Sequence, residues 1–188
     1  QLAYNLNFGA EHCKSDYIVR MDAYDISLHD ILNIIKNFII DNNYPDVGVF
    51  SANLINDNNE LIGIVNSPAD IDQFRKKLCF GNPIVHPASC IRKKALLNNR
   101  GYIGGLNCED FDLWLRMDRS NCNFSFSNQV VLNYRISEHQ CAGSRIGYSD
   151  VTGFLLRESL YRRSFKFFIG FTYMFLVFIY LNIKKSMK

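Results

Sequence analysis

Tyr17 to Ser27 reads YIVRMDAYDIS, and the fold turns on how that stretch is taken. Five residues of strand character, Tyr17 to Met21, stop at Asp22, and Asp25 follows just before a helix signal. A strand that runs into acids and then a helix is the repeating unit of an open α/β sheet, where ligands bind beyond the carboxyl ends of the strands. Acidic side chains placed there hold a divalent cation, and the cation holds a phosphate. The stretch reads equally as a surface turn with solvated aspartates, and by itself it leaves both readings open.

Working outward, Leu2, Leu6, Ala10 and Cys13 share one face, so residues 1–13 read as the end of a helix. Downstream, Ser27 is placed as an N-cap with Asp30 at N3, ahead of an apolar stripe of Leu28, Ile31, Leu32, Ile35, Phe38 and Ile39. Val47 to Ile55 reads as a strand, and Leu61 to Val65 as the second arm of a hairpin after the Asp57-Asn58-Asn59 turn. Ser67-Pro68-Ala69-Asp70 predicts a helix start, with Ser67 as cap and Pro68 at N1, running to about Leu78. Phe80 to Ile91 carries Pro83 and Pro87 and is expected to be a loop or edge segment. A short helix over Arg92–Asn98 closed by Gly101, a helix from Glu109 to Arg119 and a strand from Val130 to Ile136 complete the pattern. Strands alternating with helices predict an α/β class.

The length of 188 residues suits one core. Its net charge of +3 is unevenly spread: from Arg157 onward seven basic residues face one acid, Glu158, so the preceding body is slightly acidic. Such a body has no electrostatic footprint for nucleic acid, and that partner is excluded. Six cysteines without a C-x-x-C pair or zinc-finger spacing imply free thiols in a reducing compartment.

Near the helix at Glu109, spacing places Glu109, Asp112 and Arg116 on one face, while Asp110 shares its face with Leu113, Trp114 and Met117. The helix dipole favours a carboxylate there and apolar neighbours raise its pKa, which suits a general base at a cleft wall. First-turn acids are also common on dipole grounds alone. His86 in NPIVHP is rigidly set between Val85 and Pro87, as a hydrogen-bonded structural group or as a ligand. Tyr134-Arg135 ends a strand from which Arg135 can approach a diphosphate across the cleft.

Four segments occur together and in order. YIVRMDAYDIS resembles the strand-plus-DxD segment of bacterial family 2 glycosyltransferases of the GT-A fold. NPIVHPASCIRKKAL followed by Gly101-Tyr102 is similar to that family's middle segment, CEDFDLWLRM to its ED motif, and YRISEHQCAGSR to its closing stretch. The resemblance covers roughly residues 1–145. It implies a GT-A-like, Rossmann-like mixed sheet flanked by helices, and inverting transfer of a sugar from a nucleotide diphosphate to a hydroxyl of a glycan or lipid-linked acceptor. By position, Asp110 is the implied base and Glu109 its support. Asp22, Arg20, His86 and Arg135 are the implied donor contacts, and Asp22 with Asp25 the ligands of Mg²⁺ or Mn²⁺. Tyr24 departs from the pattern, which has an acid there: either Asp25 substitutes, or Asp22 binds the metal alone, or this copy is impaired. Ser137 stands where many members have His, so His139 inherits no role. The resemblance also implies a nucleotide-binding strand and loop ahead of Gln1. Without it, an inactive remnant or acceptor-binding module is the alternative reading.

Phe167 to Ile183 holds 17 residues without a charge, seven of them aromatic, between Arg162, Arg163 and Lys166 on one side and Lys184, Lys185 and Lys188 on the other. A helix so apolar all round is not a solvated one. Basic residues at both ends suit an anionic cytoplasmic leaflet, and burial against the domain or another subunit is the alternative. The expected organisation is a glycosyltransferase domain over residues 1–150 and a membrane-associating tail over 151–188. It is expected to act at the cytoplasmic face of the membrane in cell-surface polysaccharide synthesis.

Overall fold

A computed structural model describes residues 2–105, 108–136 and 145–186. The elements run α1 (Leu2–His12), β1 (Tyr17–Val19), β2 (Ile26–Ser27), α2 (Ile31–Asp41), β3 (Val47–Ile55), β4 (Leu61–Val65), α3 (Ile71–Leu78), β5 (Ser89–Arg92), α4 (Lys93–Asn98), α5 (Glu109–Arg119), β6 (Phe124–Arg135), α6 (Arg145–Arg162) and α7 (Phe165–Ser186). The class is the expected one, a mixed α/β sheet flanked by helices with an apolar helix at the end.

The sheet is ordered β1-β5-β3-β6-β2. β3 lies parallel to β6 on one side, and on the other pairs antiparallel with β5 at its start and β4 at its end. Its residues are buried on both faces nearly throughout, as a central strand requires. Val47 and Val49 point into a core with Phe74, Phe111, Leu113 and Trp114, while Phe50 and Ala52 point into a second core with Ile35 and Phe38 of α2. Gly48, on the second face, is where α2 comes closest: a Cβ there would sit 2.7 Å from Cys90 Sγ and 2.8 Å from Phe38. Two cores on opposite faces leave the strand ends as the open rim.

Four expectations need correction. Ser27 does not cap α2: it pairs with Leu132 in β2, and Asp30 takes the cap position. The hydrogen bonds of a sheet edge outweigh a local capping pattern here. At α3 the cap is Asp70, whose carboxylate accepts from Gln73 N at 2.7 Å while Gln73 Oε1 accepts from Ala69 N at 2.8 Å. This pair is a variant of the capping box in which Gln73 reaches the residue before the cap, and it lies three residues on from Ser67. Ser67 is buried, with its N–H donating to Ser51 Oγ. Ser89–Arg92 is an inner strand, because Pro83 and Pro87 both precede it and every ladder N–H after Pro87 is present. Finally, β6 begins at Phe124, six residues earlier than expected, its polar FSFSNQ start carried by register shifts against β3. In α6, Leu155 and Glu158 are fully buried. The five described cysteines are free thiols.

Candidate active site

β1 and β2 occupy opposite edges of the sheet. Residues 20–25 therefore cross the rim over the ends of β5, β3 and β6, and this crossing carries Arg20, Asp22 and Asp25. The two strands are fixed by antiparallel ladders to β5 and β6, so the acids between them are held from both sides.

Arg20 organises the near end of the crossing. Its Nε donates to Asp22 Oδ1 at 2.7 Å, Nη2 lies 2.6 Å from the same oxygen, and Nη1 stands 3.8 Å from Glu109 Oε1. Nη1 also meets His86 Nδ1 at 2.5 Å. A guanidinium has no acceptor, so Nδ1 accepts, the proton sits on Nε2, and Nε2–H donates to the Tyr102 hydroxyl at 2.9 Å. Burial, reinforced by Arg20, holds the His86 pKa well below its ordinary value, which keeps this ring neutral. His86 is buried with both nitrogens engaged, so it reaches a ligand only through Arg20. Tyr102 is clamped in turn by Asn7 of α1, which accepts from its N–H and donates to its carbonyl, each at 2.8 Å.

Glu109 and Asp110 open α5. Glu109 is buried, 5 % exposed. Asp110 Oδ2 accepts from Asn82 Nδ2 at 2.6 Å and Oδ1 from its neighbour Phe111 N at 2.9 Å. Desolvation and the adjacent Glu109 raise its pKa to about 6, against the pull of Asn82, Phe111 N–H and Arg20. A carboxyl with that pKa is ionised at neutral pH yet remains a competent proton acceptor.

At the far end of the crossing, Asp25 Oδ1 accepts from Arg135 N at 3.0 Å, while Oδ2 is buried with no partner. Burial raises its pKa, with Asp22 adding to the effect. An orphaned buried carboxylate oxygen is costly unless something positive meets it. Asp22 and Asp25 thus fit a hard cation bound by one or two carboxylates and completed by a diphosphate. Among the described residues no group of three or more His, Cys, Asp or Glu side chains forms a complete cation site. Tyr24 is 72 % exposed, and among the described residues its backbone carbonyl is met by Arg135 Nε. Arg135 Nη1 and Nη2 donate to Asn56 O at 2.6 Å and Asn59 Oδ1 at 2.5 Å, so this guanidinium ties the crossing to the β3–β4 turn. Ser137 and His139 lie outside the described residues.

The structure brings Arg20, Asp22, His86, Glu109 and Asp110 together; Asp25 and Arg135 stand at the other end of the crossing. Asn82 and Tyr102 belong to the same site and were not singled out in the sequence. Asn82 sits before Pro83 in a turn, a position where an Asn side chain aims at nearby backbone, and its Oδ1 does accept from Ile84 N.

α5 is held from behind by a buried ion lattice. Asp112 pairs with Arg116 at 2.8 Å and Arg157 at 2.7 Å, Asp118 with Arg75 at 2.7 Å and Arg162 at 2.5 Å, and Glu158, fully buried, with Arg162 at 2.8 Å and with Arg119. The lattice joins α5 to α6 and α3.

No family model matches the chain. It is 35 % identical over 177 residues to the O-antigen biosynthesis glycosyltransferase WbnJ of Escherichia coli, covering 93 % of this chain and 69 % of that protein. A UDP-Gal:alpha-D-GlcNAc-diphosphoundecaprenol beta-1,3-galactosyltransferase of Escherichia coli is 28 % identical over 135 residues, 71 % of this chain and 48 % of that enzyme. The amylovoran biosynthesis glycosyltransferase AmsE of Erwinia amylovora is 30 % identical over 116 residues, with 42 % of its length covered. The chain thus spans about two thirds of WbnJ and about half or less of the other two. In three dimensions it matches the crystal structure of S. aureus TarS 1-349 with a TM-score of 0.55 at 13 % identity, over 82 % of this chain and 44 % of that one, a likeness of fold. By its likeness to WbnJ along nearly its whole length, the chain belongs to the glycosyltransferases of bacterial surface polysaccharide synthesis.

Proposed function

We propose that the chain carries the catalytic acids of an inverting family 2 glycosyltransferase of GT-A type. It would transfer a sugar from a nucleotide diphosphate to a hydroxyl of a glycan or lipid-linked acceptor. The observation that carries this reading is Arg20, which touches Asp22 on the rim crossing and Glu109 beside Asp110, so that the donor-side and acceptor-side acids face one site.

Asp110 takes the proton of the acceptor hydroxyl. The freed oxygen forms its bond to the anomeric carbon from the face opposite the diphosphate. The bond from that carbon to the diphosphate oxygen breaks, its electron pair leaving with the nucleotide, and the anomeric centre inverts. Glu109, beside Arg20, adds to the field that raises the Asp110 pKa and keeps that carboxylate basic. Asn82 fixes the direction of the Asp110 carboxylate, and His86 and Tyr102 fix the guanidinium of Arg20. Asp22 and Asp25 are the residues that would hold Mg²⁺ or Mn²⁺. Such a cation, when bound, supplies charge neutralisation to the leaving diphosphate. The apolar α7 fits work at the cytoplasmic face of a membrane, where lipid-linked acceptors are presented.

The test is a transfer assay on the full-length protein with nucleotide sugars, starting with UDP-Gal, the donor in one relative's name, and lipid-diphosphate acceptors. Asp110→Asn is expected to abolish transfer while the far-UV circular dichroism stays unchanged. Transfer by that variant at the unmodified rate overturns the base assignment, and a product that retains the donor's anomeric configuration overturns inversion.

A further inference from the structure

α7 has two apolar sides with different surroundings. Phe167, Gly170 and Met174 are buried, with Phe171 half-buried between them, a single stripe at helical spacing. Phe167 and Met174 join the same core as Leu78 and Trp114. Gly170 meets the end of α3 so closely that a Cβ would collide with the Cys79 carbonyl oxygen.

The outward side is exposed and no less apolar: Phe168, Tyr173, Phe175, Leu176, Tyr180 and Ile183, with Leu176 at 60 % and Tyr180 at 61 %. The patch continues onto the body of the domain, because exposed Phe80 stands edge-on to Tyr173 with ring centroids 6.2 Å apart. The stretch Phe165–Ile183 has a mean hydropathy of 1.7 and is only 17 % buried. A helix that crosses a bilayer is met by lipid or by other spanning helices along its length. Here one stripe is already occupied by a polar-surfaced domain.

We infer that α7 is an in-plane anchor: it lies along an anionic membrane surface, its outward face among the acyl chains and its inward stripe still on the domain. This rests on the membrane reading above and deepens it. The rim of the patch is cationic. Arg163 stands just before the helix and Lys166 in its first turn, Lys76 and Lys77 are exposed on α3, and the sequence after Glu158 contains no acid. A cleft of about 250 Å³ between α3 and α7 is lined by Arg75, Lys76, Arg162 and Lys166 against Asp72 and Asp118. Among the described residues its ion pairs engage Arg75 and Arg162 and leave out Lys76 and Lys166. Such a rim complements phosphodiester headgroups. A second copy of the chain would bring the same cations to the same rim.

The experiment uses the full chain with phosphatidylcholine vesicles, with and without phosphatidylglycerol. Phe168→Trp, Leu176→Trp and Ile183→Trp report depth by quenching from brominated lipids, after subtraction of the Trp114 signal of the unmodified chain. The expected result is binding that requires phosphatidylglycerol, one shallow depth for all three tryptophans, and a loss of at least ~tenfold in binding for Leu176→Glu, the equivalent of one leucine's transfer from water. If Leu176→Trp is deep and the other two lie near opposite interfaces, the helix spans, and the in-plane anchor is overturned while the membrane reading stands. Equal binding to both vesicles overturns the anionic headgroup contact. Absence of binding to either vesicle overturns both readings, and a dimer in solution dissolved by Leu176→Glu would assign the face to a second copy.

Discussion

Arg20 Nη1 stands 3.8 Å from Glu109 Oε1, and this contact joins the rim crossing to the first turn of α5. The same guanidinium neutralises Asp22, so one cation serves two carboxylates from segments far apart in sequence. Replacing Arg20 with Met leaves Glu109 buried beside Asp110 without its cation. The expected cost is about 2 kcal/mol in urea unfolding, the scale of a buried carboxylate losing a charged partner. Donor affinity is expected to fall with it, and unchanged stability together with unchanged affinity would remove Arg20 from the site.

With Asp110 as the proposed base, its ionisation is expected to set the acid limb of the pH profile. A base works as its carboxylate, so with a pKa of about 6 the rate is expected to rise with pH and level off above that value. Asn82 donates to this carboxylate and favours its charged form. Asn82→Ala is therefore expected to move the limb to higher pH, and a limb that stays in place would separate Asn82 from the base.

The same raised pKa has a stability consequence of definite sign. The folded carboxyl keeps its proton up to about pH 6, whereas an unfolded Asp releases it near its ordinary value of 3.8. Ionisation at this position costs the folded state stability as pH rises through that window. Asp110→Asn is expected to be inactive and, at pH 7, more stable by about 1 kcal/mol after allowance for solvent screening. Equal or lower stability in denaturant titrations at pH 7 would contradict this.

Asp25 Oδ2 is the orphaned oxygen of the crossing. Mn²⁺ together with a nucleoside diphosphate is expected to raise the Tm of the unmodified protein, because the ligands bind the folded state alone. Asp25→Asn is expected to lose most of that rise. An equal rise in the variant would mean that Asp22 alone serves the cation.

Glu158 is fully buried and contacts Arg119 and Arg162. Glu158→Ala leaves Arg119 without its ion pair and Arg162 with Asp118 alone, and breaking a buried pair from one side costs about 3 kcal/mol or more. Chemical denaturation would read the loss, and a variant within experimental error of the parent would show the lattice to be energetically idle.

How far the sequence carried the reading depended on whether the decisive interaction was local. The α5 boundaries followed from periodicity, and the Asp112–Arg116 pair from its i,i+4 spacing, because both depend on neighbours along one helix. Ser27 and Ser67 were misplaced because competing partners, Leu132 and Ser51, came from distant strands. The inner position of Ser89–Arg92 was hidden by two prolines that end just before it. Motif order singled out Asp22 and Asp110 as candidates, whereas the tie of Arg20 to Glu109 needed the sheet to bring positions 20 and 109 together. α6 went unseen since its buried side is mixed: Leu155 shares it with Thr152, Glu158 and Ser159, which an apolar pattern does not register.

α5 performs different work at its two ends. Glu109 and Asp110 at its start are the acids of the proposed site, while Asp118 and Arg119, roughly 13 Å away at 1.5 Å per residue, are fastened into the ion lattice. Natural variation at one end need not disturb the other. A lineage that must build many different surface sugars can redesign the loops around Asp110 and keep the helix that aims it. Diversity of product and constancy of scaffold are thereby separated along a single three-turn rod.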